Sequence, residues 1–359
     1  MIEVKKGLKN ITRAPSNTEA RIGKVMRLDH NERTTSLPQE VLDAVWKTIT
    51  PEEVVAYPAL ESTYKKLAGF AGVSREQLLM TYGSDTAIRM VFDTFLNEGD
   101  EVVFLQPTYG MFSVYTDMFG GKKISVEYDP DFSLPVERIL SKMNPKTKLV
   151  IIANPNHTGT VMADKDIETV IRRGSELNCL VVVDEAYHHF YPGTVAPLIA
   201  RYDNLIVIRT FSKAFGIAPL RAGYLISQAG NIQNLIKVKL TYDVTSVTAK
   251  FIEYFLDHPQ IMQTYVREVE EGKALIKREC IKLGWRMLPS VTNFVFIQLP
   301  TGIDAARLVK SLEARDVWIK GPFKGVPVDG LIRITVGDAP QMKKLFEIIN
   351  TLELYAGKK

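Results

Sequence analysis

Short apolar runs separated by amphipathic stretches organise the middle of this chain. The runs at 101–105, 123–127, 149–153, 180–184, 205–209 and 222–226 are apolar on both alternating faces, as in strands covered by helices on each side. Between them, stretches such as 164–177 repeat apolar residues at helical spacing. Strands and helices alternating in this way predict an α/β fold on a mostly parallel sheet. Upstream, Leu37-Pro38-Gln39-Glu40 opens a short helix with Val41, Leu42, Val45 and Trp46 on one stripe, and Tyr64, Leu67, Ala68 and Ala71 mark another after Tyr57-Pro58. Beyond about Asn231 the order changes to long helices at 232–240 and 246–283. Strand-like pieces follow at 293–299, 317–320 and 331–336, with helices at 305–314 and 339–354. The expected organisation is an arm and part of a smaller domain over 1–50, a large α/β domain over 51–240 and a small α+β domain over 241–359.

With 359 residues, 46% of them hydrophobic and 24% charged, the chain has the make-up of a soluble globular protein with a sizeable core. A formal charge of +4, spread without a long basic block, is too mild to point to nucleic acid. Cys179 and Cys280 lie far apart in apolar surroundings and read as ordinary buried thiols, with neither disulfide nor metal spacing. The first 24 residues are polar and basic without an apolar signal core, and no run is long enough to span a bilayer, so the expected location is the cytoplasm.

Chemistry concentrates after the predicted strands. Thr210-Phe211-Ser212-Lys213-Ala214-Phe215-Gly216, followed by Leu220-Arg221-Ala222-Gly223, places Lys213 at a strand's carboxyl end, where open α/β sheets bind ligands. An ordinary lysine belongs on the surface, but Phe211, Ala214, Phe215 and Ile217 make an unlikely surface, and a desolvated amine is free to form an imine. Arg221, Ser212 and Thr210 have the charge and hydroxyls to hold a phosphate. Val183-Asp184-Glu185-Ala186-Tyr187 ends the most apolar strand; Asp184 is either a cap or a buried anion that keeps a pyridine nitrogen protonated, and the residues weigh evenly on the two. Asn154-Pro155-Asn156-His157-Thr158-Gly159 has turn composition in any case, with the Asn156 amide as a candidate donor. Tyr82-Gly83-Ser84-Asp85 opens a helix, either as an ordinary cap or as an anion site of free N–H groups. Tyr109, after Pro107-Thr108, can stack on an aromatic ligand or simply pack.

In this order, these segments resemble the fold-type I aminotransferases of class I/II, and the histidinol-phosphate aminotransferase branch most closely, over about 28–354. Ser-Lys-Ala-Phe-Gly followed by Leu-Arg-Ala-Gly-Tyr is the most specific part. The resemblance implies the aspartate-aminotransferase fold and a pyridoxal 5′-phosphate cofactor joined to Lys213 as a Schiff base. It implies that Asp184 pairs with the pyridine nitrogen, that Tyr187 and Asn156 contact the phenolic oxygen, and that Tyr109 stacks on the ring. Phosphate contacts fall to Ser84, Asp85, Ser212 and Arg221. Tyr57 resembles a tyrosine that reaches the phosphate of the neighbouring subunit, which implies a homodimer with shared active sites. Arg333, alternating with Ile332 and Ile334, reads by itself either as the polar face of an edge strand or as a carboxylate grip, and the resemblance makes it the substrate arginine.

The implied reaction is a ping-pong transfer of an amino group between an amino acid, or a histidinol-phosphate-like amino-alcohol phosphate, and a 2-oxo acid such as 2-oxoglutarate. The alternative on the same fold is a decarboxylase or lyase similar to threonine-phosphate decarboxylase. A non-catalytic cofactor sensor attached to a DNA-binding domain is the rival from another class; the few residues before the resemblance and the lack of a basic recognition helix count against it. Two segments depart from the family. His157 stands where relatives carry proline, and Asp29-His30-Asn31-Glu32-Arg33-Thr34-Thr35 stands where they read Asn-Glu-Asn-Pro-Tyr. That second segment shapes the substrate pocket in relatives, so Asn31 is a candidate substrate contact. His188-His189 has no partner at ligand spacing, and no metal is expected.

Overall fold

The computed structural model of the chain describes residues 2–9, 11 and 22–352. Strand β1 (Met26–Leu28) leads into helices α1 (Gln39–Trp46), α2 (Pro51–Val55) and α3 (Glu61–Ala71). A capping box between Thr50 and Glu53 starts α2, and Gly72 in the left-handed conformation ends α3. Alternation then sets in with β2 (Leu78–Tyr82), α4 (Gly83–Phe95), β3 (Glu101–Gln106), α5 (Met111–Met118), β4 (Lys122–Glu127) and α6 (Val136–Lys142). It continues through β5 (Thr147–Ala153), α7 (Asp164–Glu176), β6 (Leu180–Asp184), β7 (Leu205–Thr210), β8 (Ala222–Ser227) and α8 (Ala229–Ile236).

These strands form one seven-stranded sheet in the order β2-β8-β7-β6-β5-β3-β4. The strands from β3 to β7 pair in parallel, while β8 runs antiparallel to both of its neighbours. The unbroken apolar runs follow from burial on both faces. Val103, Leu105, Val150, Ile152, Val181 and Val183 enter one core, and Val102, Phe104, Leu149, Ile151, Leu180 and Val182 enter the other. β2 was not foreseen as a strand; its residues Leu78–Thr81 are buried between α4 and the sheet edge it makes with β8.

The remainder comprises α9 (Ser246–Asp257), α10 (Gln260–Leu283), β9 (Arg286–Met287), β10 (Phe294–Gln298), α11 (Ala305–Glu313), β11 (Val317–Ile319), β12 (Ile332–Thr335) and α12 (Ala339–Asn350). The helix expected over 246–283 is two helices. Pro259 has no N–H to continue the first, and His258 before it leaves the helical region at φ −126°, ψ 61°. The helix expected to reach 354 ends at Asn350, and 353–354 lie outside the described residues. β12, β10 and β9 form a small antiparallel sheet. β1 pairs in parallel with β11, so the start of the chain is stitched to residues almost 300 positions later, Met26 opposite Val317. That pairing carries 29–35 over the carboxyl ends of the central strands.

Candidate active site

β2 and β7 both run antiparallel to β8 between them, so the β2–α4 junction opens on the same side of the sheet as the ends of β5, β6 and β7. Lys213 lies in the turn after β7, amid buried Phe211, Ala214, Phe215 and Ile217. Its half-buried amine donates to the Asn31 carbonyl at 3.0 Å and reaches the His30 carbonyl at 3.4 Å. Burial draws this amine down to about 8; Arg333 and Arg221 add to the effect, and Glu32 and Asp184 oppose it. A substantial neutral fraction near physiological pH makes it a nucleophile.

The Asp184 carboxylate ends β6 in a buried position and accepts the Ala186 N–H at 3.1 Å. Burial raises its pKa to about 7, so a cation placed against it would be strongly favoured. Tyr187, also buried, accepts a hydrogen bond from the Asn31 side-chain amide at 2.9 Å, and burial pushes its hydroxyl to about 12. Its ring meets Phe294 and His157 edge-on, with centroids 5.4 and 5.9 Å away.

Asn31 has a left-handed backbone, φ 55°, which an asparagine tolerates better than most residues. Its N–H donates to the Thr335 hydroxyl at 2.9 Å, and its carbonyl accepts from Asn293 at 3.1 Å as well as from Lys213. The sequence placed Asn31 in the substrate pocket. In the structure its side chain is bound to Tyr187 and, at 3.3 Å, to Thr335. Asn293 and Thr335, both fully buried, complete this junction and were not singled out, because a polar residue bordering an apolar strand carries no distinctive pattern.

Asn156 is buried but turned within the protein. Its amide nitrogen donates to the Tyr128 hydroxyl at 2.6 Å and the Pro107 carbonyl at 3.1 Å, and its oxygen accepts from Thr108 at 2.9 Å. The neighbouring His157 ring lies between the two tyrosines, 5.5 Å from Tyr109 at an interplanar angle of 21°. Its Nδ1 is buried and has no hydrogen-bond partner. Burial, with Arg333 and Lys213 nearby, lowers its pKa to about 3, so the ring is neutral.

A second feature forms where β8 crosses the start of α4. A Cβ on Gly223 would stand 2.5 Å from Gly83 C and Ser84 N, so only glycine permits this approach. No side chain caps α4, so its first-turn N–H groups have no side-chain capping partner. Arg221, left-handed at φ 50°, lies against Gly83, with Nη1 3.0 Å from the Ala218 carbonyl and 3.5 Å from Ser212 Oγ. Ser84 is half-buried in that first turn. The carboxylate of Asp85, in the same turn, accepts the Tyr109 hydroxyl at 3.2 Å. The Thr210 hydroxyl accepts the Ser212 N–H at 3.0 Å and donates to the Ala222 carbonyl at 3.3 Å, bracing the turn.

Arg333, from β12, donates to the Asp29 carbonyl at 3.0 Å with its guanidinium over Phe294 and Phe323, 5.3 and 5.5 Å from the ring centres. Its Nε is buried without a partner. Lys213, Asp184, Tyr187, Tyr109 and Arg333 thus gather at the strand ends, close enough to act on one another electrostatically, and Arg221 from the α4 corner acts on Lys213 as well. Tyr57 stands apart from these groups; 76% exposed, it stacks on Tyr242 at 4.1 Å. His189 packs edge-on against Phe215 at 5.0 Å. Among the described residues, no cluster of His, Cys, Asp and Glu could hold a metal ion, and no helix is long and apolar enough to cross a membrane.

A model of the family described as aminotransferase class I and II matches residues 23–349. A histidinol-phosphate aminotransferase from a Thermoanaerobacter species is 33% identical over 316 residues, which cover 86% of this chain and 88% of that protein. One from Clostridium novyi is 32% identical over 333 residues, 91% of each chain. The crystal structure of histidinol-phosphate aminotransferase from Sinorhizobium meliloti, in complex with pyridoxal-5′-phosphate, is similar at a TM-score of 0.81 and 25% identity, covering 91% of this chain and 92% of that one.

Proposed function

The chain belongs to the class I and II aminotransferases, and we propose that its transamination depends on pyridoxal 5′-phosphate joined to Lys213. The residues present fit that group. The uncapped start of α4, with Ser84, Ser212 and Arg221, suits a dianionic phosphate. Asp184 suits a protonated ring nitrogen, and Tyr109 suits the face of an aromatic ring. When bound, the cofactor supplies the electron sink that lets a bond at the substrate Cα ionise.

The observation that carries the reading is the half-buried Lys213 amine, drawn down to about 8, facing the same crevice as the buried Asp184 carboxylate. Lys213 is the covalent anchor. Its nitrogen would also be the base and acid that holds and moves the proton at the substrate Cα, a contribution of roughly 10²–10⁴-fold. Asp184 would keep the ring nitrogen charged, Tyr187 would donate to the phenolic oxygen, and Arg333 would take the substrate α-carboxylate with paired N–H donors. The substrates are an amino donor, of the amino-alcohol phosphate type named for the relatives or an amino acid, and a 2-oxo acid such as 2-oxoglutarate. Borohydride treatment of the cofactor-loaded protein, followed by peptide mapping, should place the reduced label on residue 213. A label elsewhere, or full turnover in Lys213→Ala, overturns the assignment.

A homodimer goes with this reading. Tyr57 and Tyr242 lie together with Val54 and Val55, all more than half exposed in the single chain. A second copy covering these residues would bring Tyr57 towards the partner's phosphate corner. Light scattering should give twice the chain mass, and Tyr57→Phe should weaken cofactor binding. The division into a large unit over 51–240 and a smaller one from 1–50 and 241–359 is supported by the β1–β11 pairing. A cytoplasmic location is supported by two free, buried cysteines.

A further inference from the structure

We propose that His157 donates a hydrogen bond from Nδ1 to the phenolic oxygen of the cofactor, taking the part that Asn156 would otherwise play. This rests on the cofactor being carried by Lys213. Three observations lead to it. First, Asn156 has given away its amide protons, to Tyr128 at 2.6 Å and to the Pro107 carbonyl at 3.1 Å, and Tyr128 is itself buried. Second, Tyr187 accepts from Asn31 at 2.9 Å, which leaves its own proton to be donated and fixes the direction in which the phenol points. Third, the His157 ring stands between Tyr187 and Tyr109, the two aromatic groups assigned to the cofactor, with its Nδ1 buried and unpartnered.

A buried ring nitrogen without a partner is unfavourable unless something in the crevice satisfies it. Proline at this position has no side-chain donor, so the histidine adds a function that the backbone turn does not require. The surroundings agree: burial first, then Arg333 and Lys213, keep the ring neutral, and a neutral imidazole with its proton on Nδ1 is a donor at that atom. A donor on the phenolic oxygen draws off negative charge that otherwise helps hold the proton on the lysine–cofactor linkage. Removing it raises the pH at which that proton is lost.

The test is a spectrophotometric pH titration of the visible band of the holoenzyme, without substrate. In His157→Phe, which keeps an aromatic ring but no donor, the midpoint should rise by about one pH unit. His157→Pro should behave alike, serving as the second donor-free variant if the phenylalanine does not fold. His157→Gln should restore much of the wild-type midpoint, and Asn156→Ala should leave it nearly in place. A midpoint unmoved in both donor-free variants, or one moved only by Asn156→Ala, overturns the proposal. Failure of the underlying reading looks different: the visible band would then survive in Lys213→Ala.

Discussion

The side-chain amide of Asn31 donates to the Tyr187 hydroxyl at 2.9 Å, tying the segment after β1 to the turn after β6 across 156 positions of sequence. The same residue offers its carbonyl to Lys213 and Asn293 and its N–H to Thr335. One residue therefore sets the direction of the phenol and the resting place of the free lysine amine. Asn31→Gly keeps access to the left-handed backbone but removes the amide. Loss of one such hydrogen bond is worth about 1 kcal/mol, so kcat/KM should fall roughly fivefold or more. Asn31→Ala should lose about 1–2 kcal/mol of stability on top, because a Cβ is strained at φ 55°. Steady-state kinetics and thermal melts of the two variants check this.

Lys213 carries a cost in the cofactor-free protein. Its pKa is about 8 in the fold against an ordinary 10.5, so the folded state binds its proton less tightly than the unfolded chain. The penalty is complete below about pH 8 and vanishes above about 10.5. Lys213→Met should therefore raise the melting temperature of the apoprotein at pH 7, and the gain should shrink as pH climbs through that window. A gain that does not change with pH would show that packing, not the buried charge, is responsible.

Asp184 titrates near 7 in the cofactor-free crevice because burial disfavours its charged form. With the ring nitrogen placed against it as proposed, the charged carboxylate would attract it above that pH and lose that attraction below it. Cofactor affinity should consequently strengthen as pH rises through about 7 in the wild type. Asp184→Asn should bind more weakly and flatten that part of the profile. Measuring both proteins by fluorescence titration removes the contribution of the cofactor's own phosphate.

Gly223→Ala would put a methyl 2.5 Å from backbone atoms of Gly83 and Ser84, which cannot swing aside as a side chain can. Overpacking of this kind costs about 1–3 kcal/mol. The displaced start of α4 should also reduce affinity for inorganic phosphate and for the cofactor, about tenfold for each 1.4 kcal/mol lost. Calorimetry on the loaded and unloaded protein separates the two effects.

Arg333→Lys keeps the charge but loses the planar pair of donors. With about 1.5–3 kcal/mol at stake for hydrogen bonds to a charged group, kcat/KM for amino acids should fall roughly 10- to 100-fold. Amines without a carboxylate should react equally with both proteins. An equal loss for the two substrate types would place Arg333 outside the carboxylate contact.

Much of the architecture is already present in one-dimensional pattern. The six runs in the middle of the chain mark β3 to β8 to within about two residues; burial on both faces leaves few polar positions to blur the inner strands, while β4, at the sheet edge, alternates polar and apolar residues. Lys213 stood out because a charged residue amid Phe211, Ala214 and Phe215 contradicts its surroundings. The break at His258-Pro259 was also written in the sequence, and the apolar periodicity on either side masked it. Nothing local distinguishes Asn293 or Thr335, however, or tells that Asn156 turns towards Tyr128 while His157 packs between Tyr109 and Tyr187.

Composition, periodicity and the motif residues determine by themselves that this chain builds a doubly covered sheet and places an amine, a carboxylate and an arginine at or near the strand ends. Those are consequences of the side chains' own chemistry and of a period that repeats along the chain. Which partner each polar group finds is decided only when β1 joins β11 and 29–35 closes over the sheet. Hydrogen bonds act over about 3 Å, whereas the residues that share them here lie hundreds of positions apart, so their pairing exists only in the folded chain.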